Sequence, residues 1–210
     1  MHYFTGGWNH EKEPRFSQMV RNTTTRGIFI ESAISYMKTN SLDGISIDWE
    51  YPTRRGTSVP EDRHRYTLLL KEFKVAFNKQ NKDFTLSACV LSGRRIISTA
   101  YEILEISKYV DWANVMAYAL HGAWDDETGH HTAMTGGKTN VPDSLEAWQE
   151  FGMPNDKINI GLATNGRSFT LLFPDLVSTL QLFVLEGLDP SLGGKLFSLT
   201  MSVAIKYGPT

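Results

Sequence analysis

Apolar residues recur along the chain at two spacings, one typical of helices and the other typical of buried strands. Helical spacing holds over residues 27–37, 60–77, 101–107 and 141–151. Short, almost wholly apolar segments occupy residues 45–49, 84–91, 113–118 and 158–163, as expected for strands that are covered on both faces. Because helix and strand patterns alternate, the sequence predicts an α/β fold with parallel strands, either a doubly wound sheet or a (β/α) barrel.

The spacing of apolar residues changes near residue 170. Residues 171–188 are apolar without a regular period, and glycine and proline residues interrupt the segment from 187 to 194. Within this part of the chain, only residues 177–185 favour a helix. We therefore expect one domain over residues 1–170 and a divergent tail over residues 171–210.

Composition narrows the classes of function. The chain has 210 residues, of which 41% are hydrophobic and 21% are charged, and its formal net charge is −2. Since basic residues form no continuous run, nucleic acid is not an expected partner. No stretch of about 18 apolar residues predicts a membrane span, and the first residues lack the pattern of a signal peptide. The single cysteine, Cys89, lies in an apolar segment and is interpreted as a buried structural thiol.

The most informative segment runs from Asp43 to Pro52 and carries two carboxylates at the end of a predicted strand. Side chains alternate between the faces of a strand, so the polar side chains share one face and the apolar ones share the other. The polar set is Ser46, Asp48 and Glu50, and the apolar set is Ile45, Ile47 and Trp49. Glu50 would lie at the carboxyl end of the strand, where α/β barrels and open α/β sheets place their active sites.

Two carboxylates on one strand face can raise each other's proton affinity, and a protonated carboxylic acid can act as a general acid. The alternative is a solvated loop edge, in which Asp48 and Glu50 pair with the nearby Arg54 and Arg55. Apolar residues on both sides of the segment favour the first interpretation.

This segment resembles the D-G-x-D-x-D-W-E-Y-P signature of glycoside hydrolase family 18, the chitinases and chitinase-like proteins. It differs at Ser46, where the family has an aspartate. Further motifs that resemble the family follow in the family's order: Thr5-Gly6-Gly7-Trp8, Pro60-Glu61-Asp62, Asn114-Val115-Met116-Ala117-Tyr118, His121-Gly122-Ala123-Trp124 and the segment from Gly161 to Phe169. The resemblance covers about residues 3 to 170.

The resemblance implies a partial family 18 catalytic domain over residues 1–170. Its fold would be an incomplete (β/α)8 TIM barrel, corresponding to strands 3 to 7 of the family barrel, without the first two strands and the last. The implied function is hydrolysis of β-1,4-N-acetylglucosamine linkages in chitin or chito-oligosaccharides by a substrate-assisted retaining mechanism. No cofactor or metal is implied, and the family resemblance suggests an extracellular location.

Residue roles follow from the resemblance position by position. Glu50, Asp48 and Tyr118 are implied as catalytic residues, and Trp8, Met116, Trp124 and Arg167 are implied as substrate-binding residues. The alternatives for four of these residues are structural: a barrel cap for Trp8, a loop anchor for Trp124, a core position for Tyr118 and an ion pair for Arg167.

Three departures from the family's pattern bear on activity. Ser46 and Ala119 stand where the family has aspartates, and Asn165 stands where the family has a tyrosine. We expect these changes to reduce catalysis, and they favour a chitin-binding lectin without turnover as the alternative, whereas the retained Glu50 and Asp48 favour an enzyme. The missing strands favour a third interpretation, a truncated chain without a function.

A cluster of histidines follows the predicted Tyr118 strand. His121, His130 and His131, with Asp125 or Asp126, match no established zinc spacing. We therefore interpret them as a polar loop, not as a metal site.

Overall fold

The structure is a computed structural model, and it describes residues 1–9, 15–137, 139–170, 195–198 and 205–206. Five parallel strands form its central sheet, and they follow one another in chain order across the sheet. They are β1 (His2–Gly6), β2 (Gly44–Asp48), β3 (Thr85–Val90), β4 (Trp112–Met116) and β5 (Ile158–Gly161).

Helices connect the strands. They are α1 (Arg15–Met19), α2 (Thr23–Thr39), α3 (Asp62–Phe77), α4 (Arg94–Ala100), α5 (Ile103–Ile106) and α6 (Val141–Glu150), and a short 3-10 turn spans Asn155–Lys157. The four predicted helices and the four predicted strands are confirmed, with boundaries that differ by a few residues. Helices α1, of five residues, and α4, of seven residues, were not predicted.

The strand order distinguishes between the two folds that the sequence allowed. In a doubly wound sheet the order reverses at a switch point, whereas here each strand pairs with the next one along the chain. This is the arrangement of a (β/α) barrel, in which eight strands close the sheet. Among the described strands, β1 lies at one edge of the sheet, so the fold is an incomplete TIM barrel, as predicted.

Three short strands near the end of the chain add antiparallel pairs. Strand β6 (Arg167–Thr170) pairs with β7 (Lys195–Ser198), and β8 (Ile205–Lys206) pairs with β5. The helix predicted at residues 177–185 lies outside the described residues, and the division of the chain at residue 170 stays a prediction.

The hydrophobic core lies between the convex face of the sheet and the helices. Ile45 and Ile47 of β2 are fully buried there, together with Trp49. Trp49 stacks on Phe16 with ring centroids 5.5 Å apart, and the edge of Tyr66 meets it at 5.7 Å. Burying one large apolar side chain contributes about 1.5–3 kcal/mol, so these contacts fix the apolar face of β2 against the helices, as predicted.

The concave face of the sheet carries a row of small polar side chains. Asn159 Nδ2 donates to Asn114 Oδ1 at 3.3 Å, and Asn114 Nδ2 donates to Ser46 Oγ at 3.4 Å. Ser46 Oγ also lies 3.5 Å from Cys89 Sγ. Burial, followed by the charge of Asp48, raises the pKa of the Cys89 thiol to about 12, so the thiol is protonated and fits the predicted structural role.

Among the residues that the structure describes, no helix has the length and apolar character needed to cross a membrane.

Candidate active site

The carboxyl ends of β1 and β2 approach each other closely. Gly6 pairs with Asp48 in register, and Gly7 N donates to Asp48 O at 2.8 Å. A Cβ atom on Gly6 would lie 2.0 Å from Asp48 O, and the φ angle of Gly6 is +115°, which also favours glycine. The glycines therefore allow the segment that carries Trp8 to pass beside the end of the acid-bearing strand.

Asp48 and Glu50 lie at this end of β2. Asp48 Oδ1 is buried and has no hydrogen-bond partner among the described residues. Burial raises the pKa of Asp48 to about 7, and the charge of Glu50 acts in the same direction. Glu50 itself is half-buried. The charge of Glu50 thus acts on Asp48 in the direction that the strand pattern predicts.

The two arginines that could have paired with these carboxylates make other contacts. Arg54 Nη2 donates to Thr99 Oγ1 at 2.5 Å, and Arg55 Nη1 donates to Trp8 O at 2.9 Å. The surroundings of Asp48 and Glu50 are therefore those of a partly buried acid pair, not of a solvated loop edge.

Tyr51 is a further residue at the site, which the sequence did not single out. Burial raises its pKa, and both the charge of Glu50 and a hydrogen bond with that carboxylate add to the increase. The peptide bond between Glu50 and Tyr51 is cis. The sequence signals were the position of Tyr51 directly after the acid and its match to the tyrosine of the family signature.

Tyr118 approaches the acid pair from the segment that follows β4. It is half-buried, and burial raises its pKa to about 12, with Cys89, Asp48 and Glu50 contributing after burial. A Cβ atom on Gly161 would lie 2.9 Å from Tyr118 Cε1, so the absence of a side chain at the end of β5 makes room for the ring. The structure therefore brings Tyr118 near Asp48 and Glu50, and the tyrosine is not a fully buried core residue.

Met116 ends β4 and is 9% exposed. It lies two residues after Asn114 on the same strand, and so it shares the concave face with that side chain. This position is consistent with the floor of a cleft.

Two tryptophans have large exposed surfaces. Trp8 is 53% exposed and Trp124 is 61% exposed. The guanidinium of Arg55 lies 3.4 Å from the ring centre of Trp8, and that of Arg167 lies 4.9 Å from the ring centre of Trp124. Each ring is therefore held by an arginine while much of its surface stays accessible.

The predicted histidine loop shows three different environments. His121 Nδ1 lies 3.1 Å from Asp125 Oδ2, His130 is exposed, and His131 is buried. Across the described part of the chain, no group of three or more histidine, cysteine, aspartate or glutamate residues could hold a metal ion.

Comparison with known proteins agrees with this arrangement. The profile of glycosyl hydrolases family 18 matches residues 2–179, which is most of the chain. The chain therefore belongs to glycosyl hydrolase family 18.

Individual relatives are moderately similar. Chitotriosidase-1 of Mus musculus is 32% identical over 179 residues, which cover 79% of this chain and 38% of that protein. The solved Group IV chitinase of Ostrinia furnacalis in complex with allosamidin is 29% identical with a TM-score of 0.83, over 89% of this chain and 52% of that one. YKL-39, solved in the presence of chitooligosaccharides, is 27% identical with a TM-score of 0.77, over 89% and 52%.

The shared region is only part of each relative. This chain spans at most about two fifths of the curated relatives named here and about half of the two solved structures named here.

Proposed function

We propose that this chain is a chitinase-like glycoside hydrolase that cleaves β-1,4-N-acetylglucosamine linkages in chitin or chito-oligosaccharides, with reduced activity. The observation that carries the proposal is the grouping of Glu50, Asp48 and Tyr118 at the carboxyl ends of β2 and β4. Membership of the family, and the oligosaccharide and allosamidin complexes of similar proteins, support a carbohydrate substrate.

The proposed reaction uses the substrate's own acetamido group. Glu50 donates a proton to the glycosidic oxygen while the acetamido oxygen attacks the anomeric carbon, and the bond to the leaving sugar breaks. Glu50, now a carboxylate, takes a proton from water, which opens the oxazolinium ion at the anomeric carbon and gives net retention. A single carboxylate therefore acts as acid and then as base.

Two neighbours would orient the acetamido group. Asp48 Oδ1 has no hydrogen-bond partner among the described residues, so it is available to accept the acetamide N–H and to stabilise positive charge on the ring. Since the pKa of Tyr118 is raised to about 12, its hydroxyl is protonated at neutral pH and can donate to the acetamide oxygen.

Sugar rings would bind along the exposed aromatic surfaces. Trp8 and Trp124 offer ring faces on which the apolar faces of sugars can stack, and Met116 would line the floor. Arg167 would contact the sugar chain beside Trp124. We also propose an extracellular location, where polymeric chitin would be accessible.

A first experiment is a thermal melt of the 210-residue chain with and without a chitin tetrasaccharide. A ligand at about 100 times its Kd stabilises a binding-competent fold by about 2.7 kcal/mol. A cooperative transition that shifts upward with the ligand supports a working cleft. The absence of a cooperative transition would instead favour the truncated chain without a function.

The decisive comparison is Glu50→Gln against the unchanged chain, with hydrolysis of the tetrasaccharide as the readout. We expect a loss of about 10²–10⁴ in turnover with unchanged binding, because the amide cannot donate or accept the catalytic proton in the same way. Glu150→Gln is a matched control, since Glu150 lies on the outer helix α6 and pairs with Arg94. Equal rates for all three proteins contradict the proposed catalysis.

The second candidate function is binding of chitin without turnover. It is favoured by Ser46, because the residue below Asp48 on the same strand face is a neutral hydroxyl hydrogen-bonded to Asn114. In that case the tetrasaccharide would raise the melting temperature of the chain. Glu50→Gln would change neither the affinity for the tetrasaccharide nor the background rate of its hydrolysis.

A further inference from the structure

His131 lies beside the residue that follows Tyr118, and its side chain does not reach solvent. The residue is 1% exposed. Its Nδ1 atom accepts a hydrogen bond from Ala119 N at 3.4 Å, and its backbone oxygen accepts one from Leu120 N at 3.0 Å. One residue thus holds two successive backbone amides immediately after Tyr118.

The backbone that His131 holds is strained. Ala119 has a φ angle of +53°, in the left-handed region that a residue with a Cβ atom rarely adopts. Such a conformation is unfavourable and persists only when surrounding contacts support it. The amide of Ala119 is therefore a point at which a side-chain contact can determine the direction of Tyr118.

The opposite side of the imidazole faces the segment after β5. Burial lowers the pKa of His131, the charge of Arg167 acts in the same direction, and a hydrogen bond with the backbone of Asn165 opposes both. The ring therefore lies between the loop that carries Tyr118 and the segment that carries Arg167.

The tautomer of the ring follows from its contacts. Since Nδ1 accepts a hydrogen bond, the proton of the neutral ring is on Nε2. The Nε2 proton is thus the one that is free to interact with the backbone of Asn165 on the other side of the ring.

We propose that His131 is a positioning residue, which holds the Ala119 amide so that Tyr118 faces Asp48 and Glu50. The role rests on the proposed hydrolytic function, because Tyr118 acts there by orienting the acetamido group. His131 itself contacts neither the substrate nor the reacting atoms. Its effect reaches the reaction through the backbone turn.

Two variants separate positioning from packing. His131→Asn keeps an acceptor at the position of Nδ1, because Asn Oδ1 is attached to the same side-chain atom, Cγ. His131→Leu fills the site with an apolar side chain but removes that acceptor. We expect kcat to fall by between about tenfold and 10²-fold in the leucine variant, with a smaller change in KM, and to stay within a few-fold of the unchanged chain in the asparagine variant.

Hydrogen exchange at the Ala119 amide, followed by NMR, tests the contact without any assay of activity. Exchange should be faster in His131→Leu and slow in His131→Asn, while the melting temperatures of both variants stay close to that of the unchanged chain. If the asparagine variant loses as much turnover and amide protection as the leucine variant, the proposal is wrong. The proposal also fails if both variants lose turnover only in proportion to a lower melting temperature.

The same experiment distinguishes this failure from failure of the proposed function. If the unchanged chain does not hydrolyse the tetrasaccharide, the hydrolytic function is rejected. The positioning of Tyr118 is then judged by the Kd for the tetrasaccharide together with the Ala119 exchange rate. Equal Kd values and equal exchange rates in all three proteins would overturn it.

Discussion

Asn114 donates a hydrogen bond to Ser46 at 3.4 Å across the concave face of the sheet, one side chain below Asp48. Ser46 is fully buried, and its other polar neighbour is the protonated thiol of Cys89. Among the described residues, the hydrogen bonds of the Ser46 side chain are therefore made with neutral groups. An added carboxylate at this position would find the Asn114 amide as a ready donor.

The first prediction restores two carboxylates. Ser46→Asp combined with Ala119→Asp should raise the rate of tetrasaccharide hydrolysis by at least about tenfold, because fixed charges near the reacting sugar stabilise the developing positive charge. The backbone at residue 119 suits the change, since aspartate tolerates a positive φ angle better than alanine does.

Ser46→Asn with Ala119→Asn is the matched control, since it adds polar side chains of the same size without charge. A rate increase that appears equally in the aspartate and asparagine pairs contradicts an electrostatic cause. The absence of any increase rejects the idea that these two positions limit catalysis.

Much of the fold could be predicted because its signals are periodic. The alternation of side chains in β2 correctly separated Ser46 from Ile45 and Ile47, since a strand has only two faces. The apolar face of α3, including Leu69 and Phe73, was likewise evident from helical spacing and is buried. The strand order was not evident from these periods, because a doubly wound sheet shows the same alternation.

The candidate site was predictable where it lies at the ends of regular elements. Asp48 ends β2 and Tyr118 follows β4, so the fold itself places both residues at the carboxyl ends of parallel strands. The contacts of Arg55 with Trp8 and of His131 with Ala119 join irregular segments that are distant in sequence. No local pattern encodes such contacts, because they depend on loop conformations that the whole fold determines.

The second prediction concerns pH. Burial raises the pKa of Asp48 from 3.8 to about 7, so the folded chain binds this proton more tightly than the unfolded chain does. Stability from this group is fully present below about pH 3.8, falls as the pH rises and is lost above about pH 7. Asp48→Asn should remove this dependence, so the variant gains stability relative to the unchanged chain between these limits.

Urea unfolding at several pH values measures this difference. Asp43→Asn is a control, because the pKa of Asp43 is shifted in the opposite direction to that of Asp48. A hydrogen bond to the N-terminal ammonium, followed by contacts with Lys82, lowers the pKa of Asp43 to about 2. Stability from Asp43 is therefore present above pH 3.8 and is lost as the pH falls to about 2, so Asp43→Asn should differ from the unchanged chain at neutral pH and converge with it in acid. A constant difference between Asp48→Asn and the unchanged chain from pH 4 to pH 8 contradicts the raised pKa.

The third prediction concerns sugar stacking. Trp8→Ala should weaken binding of the tetrasaccharide by roughly tenfold, because an aromatic contact contributes about 0.5–1.5 kcal/mol beyond its buried area. Trp8→Phe should recover part of the loss. Titration calorimetry gives the Kd values.

Ile28→Ala is the control, since Ile28 is 63% exposed on α2 and its replacement should leave binding unchanged. Equal Kd values for Trp8→Ala and Ile28→Ala exclude Trp8 from the binding surface.

The fourth prediction concerns the segment between Glu50 and α3, which Asp62 anchors. This carboxylate is fully buried, and it accepts hydrogen bonds from Ser17 Oγ at 2.8 Å, Val59 N at 3.0 Å and Arg65 Nη1 at 2.9 Å. Asp62→Asn should lower the free energy of unfolding by about 1–3 kcal/mol, because an amide cannot accept all of these bonds and leaves buried donors without partners. Asp156→Asn, at an exposed position, should have little effect.

The pH dependence of this variant provides an independent check. Although burial opposes the change, the hydrogen bonds lower the pKa of Asp62 below 3.8. Its contribution is therefore present above pH 3.8 and is lost as the pH falls through the lowered pKa, so the two proteins should converge in stability under acid. Because the anchored segment carries Arg55, which holds Trp8, Asp62→Asn should also weaken tetrasaccharide binding. A variant as stable as the unchanged chain at pH 7, with the same Kd, would show that Asp62 does not support the binding surface.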